Sequence, residues 1–359
     1  MISLRDLSRL ATIVLFFGSL AWSGAAQQAQ YPAASCQLYV SPAGADSNAG
    51  TVSAPWRTVQ HAFDYAQAGE TVCFRGGTYP MASSSSYSQI MSHSGTSSSR
   101  ITFMNYPGEV AVIAGSTRVE AAYITFRGDP VTAPGLIFAG PGAPDMDLID
   151  IMHSRDVTFD HVEIRDGDYH AGLYQYDGYN IRVTGCYIHD NGRPGYINTD
   201  QGIYWDATAG GGNLIANNVI EHNVAMGIQL YPAPMDVVVE ENTIVNNGNY
   251  GIVVYGSQHT IVNNILSNNG NSAHNPQMKI DSLATSLTID SNIFLSDPLF
   301  IDPAHHNYHL QPQSPAIGVG NTKYTQPIDK DGVPRHFPSD LGAYTCRVHE
   351  RFKSHSPEN

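Results

Sequence analysis

The chain has 359 residues, with 32 Asp plus Glu against 18 Lys plus Arg and a formal net charge of −14. That length is large for one compact core and ordinary for a solenoid of stacked repeats. The acidic excess excludes nucleic acid as a partner, because little would neutralise phosphates, and it is compatible with Ca2+, which takes several oxygen ligands.

The first elements concern export. Arg5 and Arg9 precede an apolar run from Leu10 to Leu20, and the small residues Ser23-Gly24-Ala25-Ala26 follow. This order predicts a secretory signal peptide over 1–26 and a mature protein that is extracellular or periplasmic. An uncleaved anchor is the competing reading, but the run is short for a spanning helix and no lipid-attachment Cys follows it. No second apolar span is long enough to cross a membrane, so no stable membrane association is expected and 27–346 reads as one domain. Of the four cysteines, Cys36 and Cys73 lie in short apolar strands and are the favoured disulfide in an oxidising compartment. Cys186 falls inside the repeat core and reads as a buried thiol, and no cysteine spacing suits zinc.

The segment Thr58 to Gln67 reads as a helix with Val59, Ala62, Phe63 and Ala66 on one face, suited to cap the open end of a solenoid. Irregular coils follow at Thr71–Phe74, Ile101–Phe103, Tyr123–Phe126 and Ile149–Ile151, with the Ser-rich stretch from Ser83 to Ser99 read as an exposed loop. From about residue 149 to 295 the chain repeats. Ala171-Gly172-Leu173-Tyr174, Gln201-Gly202-Ile203-Tyr204, Met226-Gly227-Ile228-Gln229 and Tyr250-Gly251-Ile252-Val253 are equivalent, with glycines 30, 25 and 24 positions apart. Two further short strands follow each piece. Three short strands per coil of about 24 residues predict an all-β fold, a single-stranded right-handed parallel β-helix with an N-terminal capping helix and an irregular C-terminal cap. Asn218, Asn242, Asn264 and Asn292 share one position in successive coils and predict a stacked amide ladder. The pattern fades after Ile293; the following segment is expected to fold over the far end, and 347–359 to be disordered.

Strand alternation then assigns the outward face. Asp150, Tyr174, Tyr204, Gln229, Val253 and Lys279 form one predicted column; Met152, Tyr176, Asp206, Tyr231, Tyr255 and Asp281 form the next. Tyrosine rings stack on the C–H edges of sugars and their phenols bond hydroxyls, so Tyr174, Tyr176, Tyr231, Tyr255 and Gln229 are candidate polysaccharide contacts. Tyrosines are also simply good strand residues. The densest polar clusters are Asp166-Gly167-Asp168-Tyr169-His170 and the inserted turn from His189-Asp190 to Asn198-Thr199-Asp200, leading to Tyr204 and Asp206. Insertions on one face of a solenoid often form the binding face, although Asp and His in turns are commonly just solvated caps.

The two ends of the mature chain carry a family signature. Tyr39-Val40-Ser41-Pro42, Pro55-Trp56-Arg57-Thr58, Gly69-Glu70-Thr71-Val72 and Arg75-Gly76-Gly77-Thr78-Tyr79 open it, and Asp297-Pro298-Leu299-Phe300, Ser314-Pro315-Ala316-Ile317 and Asp340-Leu341-Gly342-Ala343-Tyr344 close it. These blocks resemble those of exported right-handed β-helix proteins similar to family-nine polysaccharide lyases. The resemblance implies β-elimination from a uronate-containing polysaccharide, with Ca2+ on clustered aspartates and a lysine base. Asp166, Asp168, Asp190 and Asp206 are the candidate calcium ligands. Lys279, His170, Tyr204 and Asp200 are the candidate catalytic residues, Lys279 lying several coils from the aspartates. Two other readings stand beside this one. Asn198-Thr199-Asp200 is similar to a polygalacturonase motif, which would make Asp200 and Asp206 hydrolytic carboxylates. A non-catalytic, carbohydrate-binding surface protein is the third. A monomer is expected in each case.

Overall fold

The computed structural model describes residues 35–82, 86–129, 135–270 and 277–346. The expected signal peptide and the expected disordered tail lie outside them. Each coil of the solenoid gives one strand to each of three parallel sheets. The first sheet has ten strands, from Leu38–Val40 to Thr288–Asp290; the second has eight, from Gln89–Met91 to Met278–Ile280; the third has nine, from Gly77–Tyr79 to Ile293–Phe294. Among the described residues no strand exceeds six residues, so none would persist alone; stacking supplies the ladder hydrogen bonds. Part of the stretch read as an exposed loop is not one: Gln89–Met91 is a strand of the second sheet with Gln89 and Met91 buried. Among the described residues no helix is long and apolar enough to cross a membrane.

One continuous apolar core runs up the axis. In the second sheet Ile149, Leu173, Ile203, Ile228 and Ile252 point inward in register. In the first sheet Phe103, Phe126 and Phe159 stack at 5.5 and 4.8 Å before the column narrows to Val183, Ile215 and Val239. The helix Val59–Tyr65 begins at Thr58, whose hydroxyl accepts from the His61 amide, and drives Phe63 against Phe103 and Phe126. Cys36 and Cys73 form the disulfide that ties the first strand down, and Cys186 is buried and free.

Corners are where the sequence is most constrained. His161, Gly185, Asn217, Glu241 and Asn263 all have φ between 54° and 64° and turn the chain from the first sheet into the third. Asp166, Asp190, His222, Asn246 and Asn268 do the same from the third into the second, with φ between 51° and 59°. Asn and Asp tolerate this region best among residues with a Cβ, which explains their abundance. Inside the first corner the expected amide ladder is present: Asn218 donates to Asn242 at 2.9 Å, Asn242 to Asn264 at 3.0 Å and Asn264 to Asn292 at 2.8 Å. A second ladder, which the sequence reading missed, runs Asn191–Asn223–Asn247–Asn269 and ends on Gln277.

The segment after Ile293 does not cover the far end. It forms an antiparallel pair, Phe300–Asp302 with Asn307–Leu310, and then runs back along the flank of the third sheet. Phe300, Tyr308, Leu310, Leu341 and Ala343 pack there on Val219, Val245 and Ile265. The core-facing residues of the last coil, Ile280, Ile289 and Phe294, are consequently exposed.

Candidate active site

The outward columns of the second sheet have the predicted register. Asp150, Tyr174, Tyr204, Gln229, Val253 and Lys279 are successive partners, and the column extends back through Arg118 to Ile90. One pleat further on, Met152 pairs with Tyr176, and the amides of Asp206, Tyr231 and Tyr255 continue the ladder onto the carbonyls of Gln175, Trp205 and Leu230. The tyrosines form a face along the solenoid axis. Tyr174 and Tyr204 stack at 5.2 Å, Tyr204 and Tyr231 at 6.4 Å, and Tyr255 meets Tyr231 edge-on at 4.8 Å. Tyr176 stands apart, against His153.

His170 is placed at the head of this face by the strand Ala171–Tyr176 that follows it. Its Nδ1 lies 3.2 Å from Oδ1 of Asp147, and the same oxygen accepts the Ala171 amide at 2.6 Å. The carboxylate is therefore fixed by backbone and fixes the imidazole in turn through Nδ1. The ring meets Tyr204 edge-on at 4.7 Å. Tyr174 donates to Oδ2 of Asp206 at 2.8 Å. Burial, reinforced by Asp206, holds both phenols well above the ordinary tyrosine range, so each stays protonated at neutral pH. One coil back, Tyr87 donates to Asp150. Burial pushes the Asp150 carboxyl up to about 6, while Tyr87 and Arg118 oppose the shift and Asp147 adds to it. Arg118 spans Glu120 at 2.6 Å and the Tyr87 ring at 5.3 Å, with its Nε unpaired.

Sequence reasoning placed Asp150 in the outward column without giving it a role, and it missed Asp147, Tyr87 and Arg118. Arg118 could have been found by extending the column, and Asp147 by noting that it faces Ala171 one coil away. Nothing local marked Tyr87.

Other predicted residues are dispersed. Lys279 is exposed and three coils from Tyr204, about 14 Å at the spacing of neighbouring strands, with its ammonium 5.9 Å from the Tyr250 ring. Asp200 is buried, and Arg193 grips it twice at 2.7 Å, with the Arg193 amide and Thr199 hydroxyl on the same carboxylate. Arg193 in turn lies over the rings of Tyr169 and Tyr196, so Asp200 closes the inserted turn and is not offered to a substrate. Asp166 and Asp190 are corner residues paired with Arg165 and His189, and Asp168 accepts the Gly142 amide at 2.8 Å. Each of these three thus has a partner other than Asp206. Among the described residues the sole group of three or more His, Cys, Asp or Glu with ligand atoms within 4.8 Å is Glu221, His222 and His306. The aspartates named for Ca2+ thus do not fit a calcium cage, which needs six to eight oxygens around one point.

Comparison with known proteins agrees with this architecture. The "Pel9A-like, right handed beta helix region" matches residues 38–274. A pectate lyase, PEL9 of Emericella nidulans, is 31% identical over 169 residues, 47% of this chain and 37% of that protein. The uncharacterised protein YwoF of Bacillus subtilis is 46% identical over 88 residues, 24% of this chain and 18% of that one. The chain thus spans well under half of the curated relatives it matches. The crystal structure of pectate lyase Pel9A superposes with a TM-score of 0.58 at 17% identity, covering 87% of this chain and 97% of that one. This chain belongs to the Pel9A-like right-handed β-helix family.

Proposed function

We propose that the protein is a secreted polysaccharide lyase that cleaves a uronate-containing chain by β-elimination, with His170 as its base. The observation that carries the reading is the Asp147–His170 pair at the head of the tyrosine face. β-Elimination breaks the C5–H bond and the C4–O bond and forms a C4=C5 double bond. Nε2 of His170 takes the C5 proton, and Asp147 stabilises the imidazolium that results. The leaving oxygen needs a proton, and the protonated phenol of Tyr204, beside the imidazole, supplies it. The uronate carboxylate must be neutralised to make C5–H acidic, and Arg118, two coils from Tyr174 and paired with Glu120, is the arginine that this outward column offers for it. Tyr174, Tyr204, Tyr231 and Tyr255 carry the sugar rings, with Gln229 among them. No step is routed through Ca2+.

The experiment is to follow the ultraviolet absorbance of the unsaturated product on pectate, alginate and glycosaminoglycans, with and without chelator. Wild-type protein should produce it, and His170→Ala and Asp147→Asn should each lose about 10²–10⁴-fold in kcat. Asp147→Asn keeps the acceptor for the Ala171 amide, so its loss reports the charge and not the fold. A signal that chelator abolishes, or variants with unchanged kcat, would overturn the metal-independent His170 mechanism. A second reading has one observation in its favour: a carboxyl held up to about 6, as Asp150 is, suits a general acid. New reducing ends without unsaturation would select that hydrolase.

A further inference from the structure

We infer that Glu221, His222 and His306 form a binding site for one divalent transition-metal ion of the Zn2+ class, which clips the C-terminal flank to the solenoid. The site lies at the corner between the third and second sheets, apart from His170, and does not depend on the proposed reaction.

Glu221 ends the strand Val219–Glu221, and its side chain is 0% exposed. His306 Nδ1 lies 2.8 Å from one carboxylate oxygen and His222 Nδ1 2.8 Å from the other. Tyr187 donates to the first oxygen and Tyr308 to the second. Each carboxylate oxygen thus carries one phenol and one imidazole. The three ligand atoms lie within 4.8 Å of one another, and the two rings are 5.9 Å apart at 83°. Bonds of about 2.0–2.2 Å from two nitrogens and one oxygen to a common centre need only sub-ångström to ångström shifts from this arrangement.

The donor set selects the metal. Two imidazoles and one carboxylate suit Zn2+ and its neighbours, whereas Ca2+ and Mg2+ prefer all-oxygen shells. The phenols of Tyr187 and Tyr308 are the outer hydrogen bonds that orient a ligating carboxylate in such centres. A cavity of about 660 Å³, lined by both histidines with Asn246, Gly248, Asn268 and Pro303, opens in front of the cluster and leaves room for a fourth ligand. His306 and Glu221 are 85 residues apart in sequence, one on the flank and one on the solenoid. A metal here therefore stabilises the docked flank by linkage, by an amount that grows with the logarithm of free metal over its dissociation constant.

The test uses the full chain, stripped with chelator and titrated with Zn2+ by calorimetry, with metal content and thermal midpoint read in parallel. Wild-type protein should bind one Zn2+ at this site and its midpoint should rise. His222→Gln and His306→Gln, both at half-exposed side chains, should fold and lose that ion and that rise. Tyr308→Phe removes the hydrogen bond to the carboxylate, together with a long 3.5 Å bond from Asn246, and should weaken Zn2+ about 10–100-fold. If wild-type protein binds no Zn2+, or the double His variant binds as much as tightly, the cluster is a hydrogen-bonded clasp and the inference falls. If Tyr308→Phe changes midpoint and not affinity, the carboxylate is not a ligand.

Discussion

At the scale of single residues the site is shaped by what burial does to charge. Asp150 keeps its proton to about 6 in the folded chain, against an ordinary value of 3.8. Between those two values the folded state binds more protons than the unfolded one, so this residue's contribution to stability falls as pH rises through the window and is flat above it. Two pH units correspond to about 3 kcal/mol as an upper figure. Asp150→Asn, which keeps an acceptor for Tyr87, should therefore lose less stability than wild type between pH 4 and pH 8. Thermal midpoints across that range check it, and parallel curves would contradict it. At this scale the sequence was legible in part. His170, Tyr204 and Asp206 stood out as a polar cluster entering a strand. Asp147 did not, because its meaning arises only from the 23-residue offset that brings it under His170. Asp200 looked catalytic because an Asn-Thr-Asp run says nothing of the arginine that closes on it.

At the scale of elements, stability is a property of columns. Asn242 accepts the Asn218 amide at 3.0 Å and donates to the Ile215 carbonyl at 2.8 Å, besides its two ladder bonds. Asn242→Ala would orphan these buried groups, each costing about 1–3 kcal/mol. Denaturant unfolding should show a lowered midpoint with unchanged slope, whereas a lost ladder bond at the exposed last coil, in Asn292→Ala, should cost less. The first ladder was readable because four asparagines precede an apolar strand at one register. The second was hidden, because Asn191, Asn223, Asn247 and Asn269 sit in turns that already favour asparagine, and Asn247 and Asn269 each follow another one. The strand Gln89–Met91 was missed for a related reason: serines dominate its surroundings, and only the neighbouring coil gives its short apolar residues a partner.

At the scale of the molecule, the flank decides what part of the solenoid is covered. Arg335 is fully buried, 3.2 Å from Glu241, and bonds Asn217 and the Gly342 carbonyl. Burial pushes Glu241 up to about 7 against the pull of Arg335. Arg335→Met would strand that carboxylate, at a cost of about 3–5 kcal/mol above neutral pH. Hydrogen exchange should then rise across 321–346 while the second sheet stays protected; uniform loss of protection would mean the flank and the solenoid unfold as one unit. The activity of the tyrosine face should survive, because it lies on another sheet.

The sequence by itself determined the solenoid, the outward columns and the first amide ladder, and it favoured the disulfide. The first three follow from period: strand alternation and a near-constant coil length act locally and repeat, so they can be read along the chain. Only the tertiary structure decided that Asp147 serves His170, that Lys279 and the aspartates named for Ca2+ stand apart, and that the C-terminal segment lies along the flank and meets Glu221 with His306. Those pairings join residues from different coils or from outside the repeat. Their distances are set by how many coils intervene and which way each corner turns, and no period in the sequence carries that information.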